Sequence, residues 1–191
     1  MARALLVAAL TFCSLFAVQA ATLSYTKAYS NFYSGVTWVP EASTCKSIID
    51  TVGLRSTLSN PNLTLTIFVP SDAAFASLAA KLKVSPSSMN ANSALMKQVM
   101  YYHFVTGSNG AKAVYHSTML TNGMKLDTMF ASPLTKKPYQ LTVAVNGTRI
   151  QVKSVGTTAT VYRPNVKCGA GVAHGIDTVL VPMPLSLIPK F

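Results

Sequence analysis

The stretch Thr64 to Leu78, Thr-Leu-Thr-Ile-Phe-Val-Pro-Ser-Asp-Ala-Ala-Phe-Ala-Ser-Leu, constrains the fold more than any other part of the chain. Leu65, Ile67, Phe68 and Val69 read as a buried strand that stops at Pro70. Ser71 or Asp72 can then cap the free N–H groups of a helix start, and Asp72 also suits the positive end of the helix dipole. Ala74, Phe75 and Leu78 follow at helical spacing and make one apolar face. A core strand therefore runs through a Pro-Ser-Asp corner into a helix. In this position Asp72 reads as a cap and not as a catalytic carboxylate.

The chain has 191 residues, enough for one domain with a sizeable core and short extensions. Met1-Ala2-Arg3 followed by the apolar run Ala4 to Ala20 reads as a secretory signal peptide, with Val18-Gln19-Ala20 as the small-residue cleavage pattern. The rival reading is a membrane anchor, for which the run is slightly short and is interrupted by Gln19. No other segment reads as a span, because Pro182, Pro184 and Pro189 break up the apolar tail. Cys13 leaves with the signal, and Cys45 and Cys168 are expected to pair in an oxidising compartment. Such a bridge would stabilise by roughly 4–5 kcal/mol in the chain-entropy account. The functional rival, a Cys168–His174 nucleophile pair, has no third orienting group in the sequence.

The formal charge is +11, with five acids: Glu41, Asp50, Asp72, Asp127 and Asp177. On a secreted chain this balance points to acidic glycans or a negatively charged wall, not to nucleic acid. Residues 21–40 carry Tyr25, Tyr29, Phe32, Tyr33 and Trp38 without a period, and read as an extension whose aromatic anchors pack onto the domain. Ser43 or Thr44 caps a first domain helix with Ile48, Ile49 and Val52 on its buried face and Gly53 at its end. Helical stretches are expected at Ala74 to Lys83 and Ser93 to Val105, with Ser85-Pro86-Ser87-Ser88 as a loop between them and a turn at Ser108 to Ala111. Asn146-Gly147 reads as a two-residue hairpin turn, setting Val145 opposite Thr148, Val143 opposite Ile150 and Leu141 opposite Val152.

Four segments in order resemble the fasciclin domain family across Glu41 to Pro184. They are the strand-corner-helix above; Tyr101-Tyr102-His103-Phe104-Val105; Leu120, Gly123, Leu126 and Met129 around a glycine turn; and Val172 to Pro182 with Ile176-Asp177 at its centre. Ala173 and Gly175 are smaller than the apolar residues that pattern leads one to expect. The resemblance implies an α+β fold, a wedge of β-sheets packed with several helices. Together with the signal read at 1–20, it divides the protein into an extension at 21–40, the domain at 41–184 and a tail at 185–191. It also implies a non-enzymatic role in cell adhesion or matrix organisation, with Tyr102, His103, Ile176 and Asp177 as family motif residues of adhesive or structural use. Integrin binding does not carry over, because the aspartate-isoleucine order is absent and no Arg-Gly-Asp occurs.

The expected function is thus a secreted adhesion or wall module that binds glycans or matrix proteins by surface complementarity, with contact between copies as a further mode. The alternative is a secreted hydrolase or small-ligand carrier. His103 among apolar neighbours reads as a structural hydrogen-bonding residue, and His116 and His174 show no metal-ligand spacing with it. No catalytic, metal or cofactor residues are therefore assigned. Asn62-Leu63-Thr64 and Asn146-Gly147-Thr148 are N-glycosylation sequons, so Asn62 and Asn146 are expected to carry glycans in a eukaryotic host.

Overall fold

A computed structural model describes residues 28–107 and 113–188. The expected signal, residues 21–27 of the extension, the turn at Ser108 to Ala111 and residues 189–191 of the tail lie outside them. The helices are α1 (Phe32–Trp38), α2 (Ser43–Thr51), α3 (Arg55–Leu58), α4 (Asp72–Leu82), α5 (Pro86–Ala91) and α6 (Ser93–His103). The strands are β1 (Thr66–Pro70), β2 (Phe104–Val105), β3 (Lys125–Ala131), β4 (Pro138–Asn146), β5 (Arg149–Lys153), β6 (Thr158–Cys168) and β7 (Gly171–Ile176). The seven strands close into a ring in chain order, and β7 returns to pair parallel with β1.

The ring is a wedge because two strands serve both of its walls. β3 pairs with β2 at Thr128 and with β4 along Lys125 to Asp127. β6 pairs with β5 over Thr158 to Thr160, then with β7 from Val161 to Cys168. The change of partner in β6 runs through Pro164, which has no N–H to give a ladder, and Asn165, which takes a left-handed φ of 61°. The inside of the wedge holds one core: Phe68, Tyr102, Val105, Leu126, Leu141, Val143, Val152, Ile176 and Leu180. A second core lies between the helices and the outer side of β1 and β7, with Ile67, Phe75, Ile48, Ile49 and Met96 among its members. Adjacent residues of β1 thus serve different cores, as strand alternation requires. β7, covered on both faces, is buried along its whole length.

The central corner forms as its residues dictate. Ser71 caps α4 by accepting the Ala74 amide at 3.2 Å, and Asp72 takes the first helical position. Two elements differ from expectation. Residues 32–38 of the extension form α1, started by a capping box between Asn31 and Ser34, and its Phe32 and Val36 belong to the outer core. The serine-rich loop holds α5, with Ser85 as cap and Pro86 at the first helical position, where a missing N–H costs nothing. The hairpin also takes a different register. Gly147 and Thr148 are the turn residues, Gly147 alone having positive φ, and Val145 pairs with Ile150 and Val143 with Val152. The offset is two residues, so the same side chains stay on the inner face.

Candidate functional site

The two family motifs meet inside the molecule. Tyr102, His103 and Ile176 are fully buried, so none of them is offered to a partner. His103 ends α6, where its Nδ1–H donates to the Val99 carbonyl at 2.7 Å, and its Nε2 accepts the Leu180 amide at 3.0 Å. One neutral imidazole thereby ties the end of α6 to the segment that follows β7. Tyr102 packs edge-on against Phe130 and Tyr139, and burial pushes its hydroxyl up to about 12. Asp177 is exposed, but its carboxylate accepts the Thr160 amide at 2.7 Å and the Thr178 hydroxyl at 3.0 Å, which fixes the corner after β7.

His174 has the same design as His103. It stacks on Phe68 with ring centres 5.6 Å apart, accepts the Asn165 amide at Nδ1 and donates from Nε2 to the Tyr115 carbonyl at 2.8 Å. Thr66 holds the same segment, since its hydroxyl accepts the Tyr115 amide and donates to the Ala113 carbonyl. The bulge that puts Asn165 into left-handed backbone is what brings its N–H to His174. Its side chain also pairs with both the amide and the hydroxyl of Ser117. Burial pushes both imidazoles down to about 4, so both are neutral hydrogen-bonding groups at neutral pH. With both nitrogens of His174 occupied by backbone, the ring has no free lone pair for a nucleophile. Among the described residues no group of three or more His, Cys, Asp or Glu could hold a metal ion.

The expected Cys45–Cys168 bridge is not formed; both residues are buried free thiols. The register explains why. Cys168 pairs with Gly171 at the β6–β7 turn, level with the residues that lead into β1. Cys45 follows Thr44, whose amide reaches Asp72 beyond the other end of β1. Disulfides need Cα atoms within about 7 Å. The Cys168 sulfur packs over Gly35 of α1, where an added Cβ would come within 2.7 Å of it. Burial pushes both thiols up to about 12, for Cys45 with help from the nearby Asp72 charge. Neither is a reactive nucleophile.

The glycine at position 175 of β7 has a packing reason. A Cβ on Gly175 would lie 3.0 Å from both the Tyr162 ring and the Arg163 Cβ. Tyr162 thus lies across Gly175 and helps line an apolar cavity of about 30 Å3 with Ala173, Val36, Val39 and Cys168. That volume holds a water or two, not a drug-sized ligand. Arg163, also in the lining, forms an ion pair with Glu41.

All five acids are engaged within the chain. Besides Glu41 and Asp177, Asp50 accepts from Lys46 at 2.8 Å and from the Tyr33 hydroxyl, and Asp127 accepts from the Gln140 amide at 2.8 Å. Asp72 reaches across to α2, where it accepts the Thr44 amide and the Ser43 hydroxyl, both at 2.7 Å. Lys81, Lys83, Lys97, Lys125, Lys136, Lys137, Arg149, Lys153 and Lys167 are exposed. The outside is therefore dominated by positive charge, and the sites that sequence reasoning singled out are mostly inside. Asn62 and Asn146 are both exposed.

Helices laid against one wall of a closed β-wedge, with histidines pinning the wedge from within, define an α+β scaffold. The family model described as Fasciclin domain matches residues 40–182, and the chain belongs to that family of cell-adhesion modules. In structure it is similar to a FAS1 domain pair from the insect cell adhesion molecule Fasciclin I, with a TM-score of 0.66 and 19% identity, covering 81% of this chain and 51% of that one. The chain spans about half the length of that pair. At this identity the likeness speaks for the fold alone. No curated protein sequence matches the chain. Among the described residues, no helix is long and apolar enough to cross a membrane.

Proposed function

We propose that the protein is a secreted, non-catalytic adhesion module that attaches to acidic glycans or other negatively charged components of an extracellular matrix or cell wall. The observation that carries this reading is the placement of charge. Each of the five carboxylates is held in an internal hydrogen bond or ion pair, while exposed lysines stand on both the helical and the β side. A predominantly basic surface, on a chain of formal charge +11, attracts polyanions over a Debye length and loses that attraction in salt. The buried motif residues act as fasteners of the fold, so adhesion belongs to the outer faces. The test is retention on pectate and heparin resins at low and high ionic strength. Binding that weakens sharply with salt is expected, and equal retention at both would overturn an electrostatic partner.

N-glycosylation at Asn62 and Asn146 belongs to the same proposal. Asn62 donates its backbone N–H to Asn60 in the turn before β1, and Asn146 ends β4 opposite Arg149. Asn62 in its turn and Asn146 at the last position of β4 are both exposed, where a transferase can reach them. Intact mass before and after glycosidase treatment, with site mapping, is the check. Unmodified asparagine at both positions in protein secreted from its own host would refute it.

A further inference from the structure

We infer that the outer face of the β3–β4–β5–β6 wall is the binding surface for an extended anionic polysaccharide, with Lys125, Lys153 and Arg149 as its cationic contacts. This rests on the adhesion reading above and locates it on the molecule. The strand register carries it. Lys125 is paired with Thr142, Thr142 with Lys153, and Lys153 with Thr158, so four residues stand in one row across four strands. Directly paired residues share a face of the sheet. Their neighbours Leu126, Leu141, Val143, Val152 and Ala159 fill the core beneath, so the row faces outward. Lys125, Lys153 and Thr158 are exposed.

Strands lie about 4.8 Å apart, which sets the two lysine backbones about 10 Å apart on either side of Thr142. Lys125 Nζ donates to the Thr142 hydroxyl at 2.7 Å, which holds that charge over the row. Arg149 starts β5 on the same face, four residues from Lys153, and donates to the Thr160 hydroxyl at 3.1 Å. Two acids stand nearby, each held in place by a neutral amide: Asp127, on the same face as Lys125, by the Gln140 side chain, and Asp177 by the Thr160 backbone N–H.

The chemistry of the row selects among polyanions. One strand step is close to the length of one sugar ring, so a polysaccharide laid across the strands can present an anionic group to each lysine. Thr142, Thr158 and Gln151 add hydroxyl and amide partners for sugar hydroxyls. The row itself carries no aromatic side chain to stack nucleobases and no long apolar one to enter a lipid surface.

The experiment measures binding of the full secreted chain to polygalacturonate, heparin and polyglutamate at low salt. It compares two triple variants that remove the same charge. In the first, Lys125→Gln, Arg149→Gln and Lys153→Gln clear the sheet face. In the second, Lys81→Gln, Lys83→Gln and Lys97→Gln clear exposed lysines of the helical side. The first should weaken binding of both polysaccharides by about tenfold, the sum of three exposed ion contacts. The second should change it less than about twofold. Amide shifts of the unmodified chain on adding polygalacturonate should centre on Thr142, Lys153 and Thr158, a readout independent of variant folding. Equal losses in the two triples, or shifts centred elsewhere, would overturn this site while leaving a polyanion-binding protein. Polyglutamate bound as tightly as the polysaccharides would overturn the ligand class. Failure of the unaltered chain to bind either polysaccharide would overturn the adhesion reading itself.

Discussion

Asp72 starts one helix and caps another. From the first turn of α4 it accepts the Thr44 amide and the Ser43 hydroxyl at the head of α2, 28 residues earlier. Burial works to raise its pKa, but the hydrogen bonds led by the Thr44 amide outweigh it and hold the carboxyl below its usual range. Asp72→Ala should cost about 1–2 kcal/mol in urea unfolding, the usual loss for a helix cap. Hydrogen exchange at the Thr44 amide should accelerate, and an unchanged exchange rate would contradict the cross-cap. Phe68 is fully buried and stacked on His174. Phe68→Ala should destabilise by about 3–5 kcal/mol, and a change below about 1 kcal/mol would remove it from the core. The cysteines give a third test at this scale. Cys45 and Cys168 should resist alkylation at pH 8 in the folded protein and should both react in denaturant without a reductant. Finding no titratable thiol in the unreduced, unfolded mature chain would restore the disulfide.

The elements are joined by neutral histidines, and this makes the joints sensitive to acid. His103 fastens α6 to the segment after β7, and His174 fastens β7 to the Asn165 bulge and to Tyr115. Each accepts a backbone N–H, so protonation must break a bond. With folded pKa values of about 4 against about 6.5 unfolded, the unfolded chain binds more protons between those limits. Stability is therefore full above about pH 6.5 and falls as pH drops towards 4, by roughly 3 kcal/mol for each histidine. Urea midpoints at pH 7, 5.5 and 4 should decline, and His174→Gln should flatten part of that slope. A midpoint constant across the range would be inconsistent with these tautomers. Much of this level could be read from sequence: the β1 corner, the cap of α4, the inner face of the hairpin and the structural role of His103. Other parts could not. Strand β6 contains Pro164 and a left-handed Asn165, so its alternation is interrupted where it changes partners. Helix α1 includes Ser34, Gly35 and Thr37, weak helix formers that are ordered by tertiary packing against Cys168 and α2. The partners of Asp72 and the row of Lys125 and Lys153 are pairings between distant segments, to which local pattern is blind.

At the scale of the whole molecule, the ring formed by the seven described strands is closed, so among the described residues no edge strand is left for another chain to extend. The side chains of the outer faces are then what a partner would meet, as the proposed contact with an anionic polymer requires. The closure also has a temporal side. The partners of β1 in its parallel ladder are Val172 to Ile176, and Thr66 pairs with Val172 about a hundred residues later. At synthesis rates of about 5–20 residues per second, the Ile67-Phe68-Val69 strand waits roughly 5–20 s for its last neighbour to be made. The strand that organises the fold is thus also the segment most in need of protection while the chain is incomplete, and a nascent chain ending before Gly171 has no means of closing over it.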